Sequence, residues 1–480
     1  MFWRGIVVYL PVNIVQVLAG FGAIVLFTRL LSPVQFGDYA IGFAVSSLAQ
    51  TCLFGWIEAA MGRFYMADRE PQGRQTLFAT LYSAFFATSL VVALIAAAIG
   101  LTPWSMAIKT ALWSALAACI VRSLLRMAQE RRRAAGEAVS FAAYDVAQTG
   151  GGFGLGVLLA QHGLGGAAPL AGTTLACLLC LIVALPPDIR RALEGKVSLP
   201  KLKAYALYGA PVALSLMFSL AISNTDRLVL AAFRGEGAVG AYHVGYTLAN
   251  RTLDVMFVWL GTASWPAAVA ALEHGGRQAL DQVARTQVNL MVLLGLPACA
   301  GLALIAHPLA GLMVGPQLAV QAAEVTVWIA FSAFFAGLTT YYFNTAFTLH
   351  RKTGRLIWAI GLPAGFNILA TLLLVPRFGL AGAMWAACAS YGLGALISVY
   401  LARPALSLPL PWRPSARTLI ATAGMAAAVA ITPVQGGAPE IIAKACVGIL
   451  VFSALAWVIN AGDCHDLWRT FRSGPVGQEA

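Results

Sequence analysis

The sequence predicts an all-α integral membrane protein of about fourteen transmembrane helices, and three observations lead there. Hydrophobic residues fill 60% of the 480 positions and charged residues only 10%, against roughly 25% charged in ordinary soluble domains. Apolar runs close to the roughly 20 residues that a helix needs to cross a bilayer recur along the whole chain. Basic residues gather on one side of those runs.

The runs lie near 5–28, 39–61, 76–100, 108–128, 139–160, 165–186, 204–226, 240–262, 286–306, 322–345, 356–376, 381–402, 418–434 and 441–461. The first follows Met1-Phe2-Trp3-Arg4 and is too long and too rich in Val, Ile and Leu for a signal-peptide core, so it reads as a retained helix. The thirteenth is the shortest. Gly and Ala are frequent inside the runs, which suits close helix packing in lipid.

With both termini cytoplasmic, 23 of the 31 Lys and Arg fall on inside segments. Five lie outside (Arg29, Lys109, Arg234, Arg377 and Lys444), and Arg122, Arg227 and Arg251 lie within runs. One missed helix would scramble this asymmetry, so it supports the run count. The net charge of +12 therefore orients the chain in its membrane and does not call for a nucleic-acid partner. The expected location is the bacterial inner membrane.

Two phrases recur about two hundred residues apart. Arg29-Leu30 with Phe36-Gly37-Asp38-Tyr39 returns as Arg227-Leu228 with Val239-Gly240-Ala241-Tyr242, and Gly163-Leu164-Gly165-Gly166-Ala167 returns as Gly379-Leu380-Ala381-Gly382-Ala383. Such a return marks two copies of one membrane-embedded half, the plan of many transporters. Six runs per half is even, so the halves are parallel. The expected division is a six-helix lobe over 1–186, a basic cytoplasmic linker over 187–203 and a second six-helix lobe over 204–402. Two added helices over 403–461, opened by a Pro-rich connection, and a cytoplasmic tail over 462–480 complete it. Trp468, Arg469, Phe471 and Arg472 give that tail the composition of an interfacial anchor.

Enzymatic chemistry has no visible home. The six histidines are spread over separate connections, and no HExxH or similar spacing occurs. Cys177 and Cys180 have CxxC spacing but sit in an apolar run without other ligand-like residues, and read as buried small hydrophobes. Gly150-Gly151-Gly152 lacks the preceding strand and following Lys of a phosphate loop and suits helix packing. No metal or other cofactor is expected. No connection exceeds about two dozen residues, which leaves no room for a folded soluble domain.

Thr28-Arg29-Leu30-Leu31-Ser32-Pro33 followed by Phe36-Gly37-Asp38-Tyr39 resembles the signature after the first helix of polysaccharide flippases. The stretch GWIEAAMGR from Gly55 to Arg63 resembles the end of their second helix, and Asn224-Thr225-Asp226-Arg227-Leu228 with Gly240-Ala241-Tyr242 resembles their seventh-to-eighth helix signature. These are the Wzx-like lipid-linked oligosaccharide flippases of the multidrug/oligosaccharidyl-lipid/polysaccharide exporter superfamily. The resemblance implies a V-shaped pair of six-helix lobes that turns a polyprenyl-diphosphate-linked glycan from the cytoplasmic to the periplasmic leaflet, for surface polysaccharides such as lipopolysaccharide or exopolysaccharide. Membrane lipids, a coupling proton or sodium ion, and a glycan polymerase or glycosyltransferases are the partners it suggests.

Ionisable residues inside spanning helices cost roughly 2.5–3.5 kcal/mol each on insertion scales, so each needs a reason. Arg251 lies eleven residues into run eight, about 17 Å deep at 1.5 Å per residue. Asp254 shares its face. The two read as a cationic floor for a diphosphate, with Arg251 as a bidentate donor, or as a pair that neutralises itself. Arg122 in run four and Glu58 in run two reach comparable depth, either as phosphate or sugar contacts or as an ion pair inside the first lobe. Arg126 and Arg63 read as inside anchors. Arg29, Asp226 and Arg227 sit at outer ends of runs, where they suit a gate or a latch between lobes. Asp145 in run five is a lone carboxylate that suits a cavity wall or a coupling ion. Asn13 and Gln16, which share a face of run one, and Gln50, Gln148, Asn250, Asn289, Asn344 and Asn367 serve sugar hydroxyls or interhelical hydrogen bonds equally well.

Two other readings compete. A multidrug cation antiporter of the same superfamily typically carries a carboxylate in its first helix, and run one has none. A non-transporting scaffold for glycan assembly leaves the repeat and the intramembrane charges without a purpose.

Overall fold

The computed structural model describes residues 2–68, 70–349, 353–402, 408–433 and 436–466. The anchor-like residues Trp468, Arg469, Phe471 and Arg472 lie outside them. Helices in chain order are α1 (Phe2–Leu30), α2 (Pro33–Ala49), α3 (Gly55–Ala67), α4 (Pro71–Gly100), α5 (Met106–Ala134), α6 (Ala138–Gln161), α7 (Ala168–Ala184), α8 (Pro186–Glu194) and α9 (Leu199–Arg234). There follow α10 (Glu236–Leu304), α11 (Ala306–Met313), α12 (Pro316–Leu338), α13 (Thr345–Leu349), α14 (Thr353–Phe378), α15 (Leu380–Ala402), α16 (Trp412–Ala430) and α17 (Gly437–Val458). No strand occurs among the described residues. In lipid this is the expected economy, because a helix satisfies its own backbone polar groups.

Each of the fourteen predicted runs falls mainly on helix, the thirteenth reaching past the end of α16 at Ala430 and the fourteenth past the end of α17 at Val458. Eleven helical stretches are long and apolar enough to cross a membrane, one of them the 78-residue Glu236–Met313. Gly276, at φ 66° and ψ −157°, breaks that stretch, so it holds two of the runs. The other two runs, on α6 and α16, are helical but fall short on that measure. The thirteenth run starts earlier than expected, at Trp412. Prolines inside helices are accommodated locally: behind Pro211 in α9, the Ser215 hydroxyl donates to the carbonyls of Pro211 (3.1 Å) and Val212 (2.9 Å).

The chain divides into two compact units, residues up to His243 and residues from Val244. In the first unit, Phe54, Ile57, Met61, Phe78, Tyr82, Phe85 and Met127 form a buried core. Lipid tails are as apolar as these side chains, so close backbone approach must add to the packing. A Cβ on Gly172 of α7 would collide with the backbone nitrogen of Gly156 in α6. That approach is what the glycine-rich run five provides.

The recurring phrases meet in this same unit. Ser32 caps α2 in a reciprocal capping box with Gln35, with Pro33 in the first turn. A Cβ on Gly37 would collide with the Glu236 carbonyl oxygen, and one on Gly240 would lie 2.9 Å from the Pro33 carbonyl oxygen. The matching glycines of the two phrases thus seat the start of α2 against the start of α10.

The linker over 187–203 is largely helix. Asp188 of α8 is fully buried, 3.1 Å from the Nε of Arg131 and 3.6 Å from Arg191, and accepts a 3.4 Å hydrogen bond from Tyr82. Arg132 donates to the carbonyl of Ala184 at 3.1 Å and lies over the Tyr144 ring. Several basic residues that the charge bias places at the cytoplasmic face are therefore tied into the helix ends.

In the second unit, polar groups stitch helix to helix. The Tyr246 and Tyr391 hydroxyls meet at 3.2 Å, Ser398 donates to Asn344 at 3.0 Å, and Asn289 donates to Asp463 at 3.2 Å. Bonds of this kind average about 0.6 kcal/mol each in a membrane protein. Asn367 is buried, and neither polar atom of its side chain has a partner among the described residues.

Candidate functional site

Charged side chains inside the first unit come from α3, α5 and α6. A turn of π-helix, Gln50–Phe54, joins α2 to α3. Such bulges recur at functional sites because they re-aim side chains without ending the helix. Here the Gln50 amide donates to Glu58 at 3.2 Å. Arg126 and Arg122 of α5 both act on the Glu58 carboxylate electrostatically. Yet no ion pair or hydrogen bond joins Arg122 to Glu58, or to any described residue. Arg122 instead stands amid Arg126, Cys177, Glu58 and Asp145. Glu58, Arg122 and Arg126 all keep partial solvent exposure.

Asp145 of α6 is buried and fully engaged. Gln16 of α1 donates to it at 2.8 Å and Gln148 donates at 2.6 Å. The carboxylate thereby links α1 to α6, and Gln148 in turn accepts from the Cys177 thiol at 3.7 Å. Cys177 and Cys180 are both free and buried.

In the second unit, Arg251 and Asp254 are exposed on α10. No ion pair joins them. The Tyr341 hydroxyl donates to Asp254 at 3.5 Å, and Arg251 has no ion pair or hydrogen bond with any described residue. Tyr341 belongs to a second π-helical turn, Thr339–Phe343, between α12 and α13. Gln287 donates to its backbone carbonyl at 2.8 Å. Each π turn therefore presents a polar side chain to one of the two carboxylates, Glu58 and Asp254. The apolar runs at 39–61 and 322–345 give no hint of these turns.

The residues expected at the outer ends of runs behave differently. Asp226, Arg227 and Asn224 at the end of α9 are buried. The Tyr242 hydroxyl donates to Asp226 at 2.6 Å, and Arg227 donates to Asn224 at 2.6 Å. Arg29 is exposed in the last turn of α1.

Two cavities stand out. One of about 570 Å³ is almost wholly apolar and lies among Leu294, Pro297, Met425, Ile449 and Phe452, with Lys444 at its edge. Lys444 is paired with Glu440 at 2.6 Å. The other, about 390 Å³, has both polar and apolar lining and lies in the first unit, among α3, α5 and α9. No group of three or more potential metal ligands occurs among the described residues.

The model of one protein family, described as polysaccharide biosynthesis protein, matches residues 26–322. No curated protein matches the sequence. Among solved structures, the chain is similar to a lipid II flippase, MurJ, in an inward closed conformation. The TM-score is 0.77 at 12% identity, covering 94% of this chain and 98% of that one. It is also similar to an inward-facing multidrug resistance MATE family transporter of the MOP superfamily, with TM-score 0.61, 16% identity, and 81% and 94% of the two chains covered. A third is the MATE multidrug transporter DinF-BH, with TM-score 0.53, 16% identity, and 82% and 95% covered. At these identities the likeness establishes the fold, which is that of this exporter superfamily.

Proposed function

Because the chain belongs to the polysaccharide biosynthesis protein family, we propose that it flips a polyprenyl-diphosphate-linked oligosaccharide across a bacterial inner membrane. The cargo passes from the cytoplasmic to the periplasmic leaflet by alternating access. Arg122 and Arg251 meet the diphosphate, with Glu58 and Asp254 beside them as sugar contacts and charge balance. Arg29, Asp226 and Arg227 serve the outer gate.

One observation carries this reading. Each unit holds a guanidinium, Arg122 or Arg251, on a helix long and apolar enough to cross a membrane, and no described side chain or carbonyl satisfies it. A charge left that way is costly unless a ligand or water meets it. An anionic cargo head is the partner that a planar, always-charged, five-donor group fits best. The fold supports transport as the kind of work done, since the similar solved proteins are titled as flippase or transporters.

The test is surface glycan in cells that depend on this chain. Arg122→Ala and Arg251→Ala should each abolish most export while membrane insertion and expression persist. Full export by both variants would remove these residues from the mechanism. Unchanged glycan with new drug sensitivity in a deletion strain would replace the flippase with a drug exporter.

A further inference from the structure

The 390 Å³ cavity in the first unit is lined by Ala59, Gly62 and Arg63 of α3, Glu130, Arg133 and Ala134 of α5, and Tyr208 and Val212 of α9. Its volume falls within the roughly 300–1,000 Å³ of small-ligand clefts. The mouth lies at the helix ends that the basic bias places in the cytoplasm. Arg63 is exposed and makes no ion pair or hydrogen bond with any described residue. Arg133 is 60% exposed and pairs with Glu130 at 2.8 Å. Small residues at 59, 62 and 134 leave the space open.

One turn before Glu130 on α5 stands Arg126, whose Nε is buried without a partner and whose charge acts on both Glu130 and Glu58. Positions 133, 126 and 122 share one face of α5, spaced by seven and four residues. They span about 17 Å at 1.5 Å rise. Guanidinium groups therefore descend from the mouth to the charged interior in two steps.

We propose that this cavity is a cytoplasmic docking site for the diphosphate head of the cargo, engaged before Arg122 and separate from the Arg251 site. This rests on the flippase reading. Arg63 supplies the free guanidinium, Arg133 turns from Glu130 to the second phosphate, and Glu130 keeps Arg126 as its counter-ion. The Tyr208 hydroxyl donates at the rim.

The experiment uses the full-length protein in phosphatidylcholine nanodiscs, titrated calorimetrically with inorganic pyrophosphate and with geranyl diphosphate. Both probes should bind. Arg63→Gln should weaken each by about tenfold or more, the scale of one lost charge-assisted hydrogen bond. Ala59→Phe, which fills the cavity without changing charge, should do the same, and Lys196→Gln on the exposed linker should change neither. Binding unaffected by Arg63→Gln and Ala59→Phe overturns the site, as does absence of binding in the wild type. Loss of pyrophosphate binding in phosphatidylglycerol nanodiscs assigns the cavity to bilayer phospholipid and also overturns it. Flipping measured in parallel separates the two claims. Arg63-dependent binding without flipping keeps the site and removes the flippase reading; flipping with binding indifferent to Arg63 does the reverse.

Discussion

At the scale of single residues, the molecule places charge where a bilayer penalises it and leaves some of that charge unanswered. Arg251 and Asp254 have the spacing of a self-neutralising pair, yet Asp254 takes its hydrogen bond from Tyr341 instead. Asp188 shows the opposite treatment. It is a carboxylate in the linker that the charge bias assigns to the cytoplasm, enclosed by Arg131, Arg191 and Tyr82. Burial pushes its carboxyl above the usual range, and Arg131, Arg132 and Arg191 only partly oppose this. A carboxyl raised on folding contributes stability below its unfolded pKa and loses it as pH climbs through the folded one. The melting temperature of the wild type relative to Asp188→Asn should therefore rise as pH falls from about 7 towards about 4. A fall over that window would mean that ion pairing outweighs burial. The sequence showed which charges lie inside runs, because an Arg among Leu and Ala is conspicuous. It concealed Asp188, which sits in a charged segment that reads as a solvated linker. It also made Arg63 and Arg126 look like ordinary anchors, since an inside-end arginine looks the same whether it faces headgroups or a cavity.

At the scale of elements, the π turns and the glycine contacts do most to place these residues. Deleting Thr51 from Gln50–Phe54 removes the one extra residue that the π turn absorbs, so the helix becomes regular and Gln50 loses the local aim that brings its amide to Glu58. Helix content should persist while export falls, as circular dichroism and surface glycan would show; full export would leave the π turn without a role. Gly37→Val forces a side chain against the Glu236 carbonyl, which cannot yield as a side chain can. It should cost about 1–3 kcal/mol or more, read as a lower melting temperature in detergent. The fourteen runs and the repeated phrases were legible because hydrophobicity and turn punctuation survive in one sequence. The π turns were not, because one extra residue leaves an apolar run unbroken. Nor did two similar phrases reveal that their glycines pack against one another.

At the scale of the whole molecule, the chain belongs to the polysaccharide biosynthesis protein family over residues 26–322 and has the fold of the exporter superfamily, with no strand among its described residues. The broad plan followed from composition and charge bias, since both act on the entire chain. Cargo identity does not follow from such averages; it rests on Arg122 and Arg251. The most direct measurement reconstitutes the chain in liposomes carrying a fluorescent oligosaccharide on a short polyprenyl diphosphate, and follows leaflet exchange by an added quencher. The account predicts exchange accelerated by the wild type and lost in Arg122→Ala and Arg251→Ala. Equal exchange in wild-type and empty liposomes, or in wild type and both variants, would contradict it.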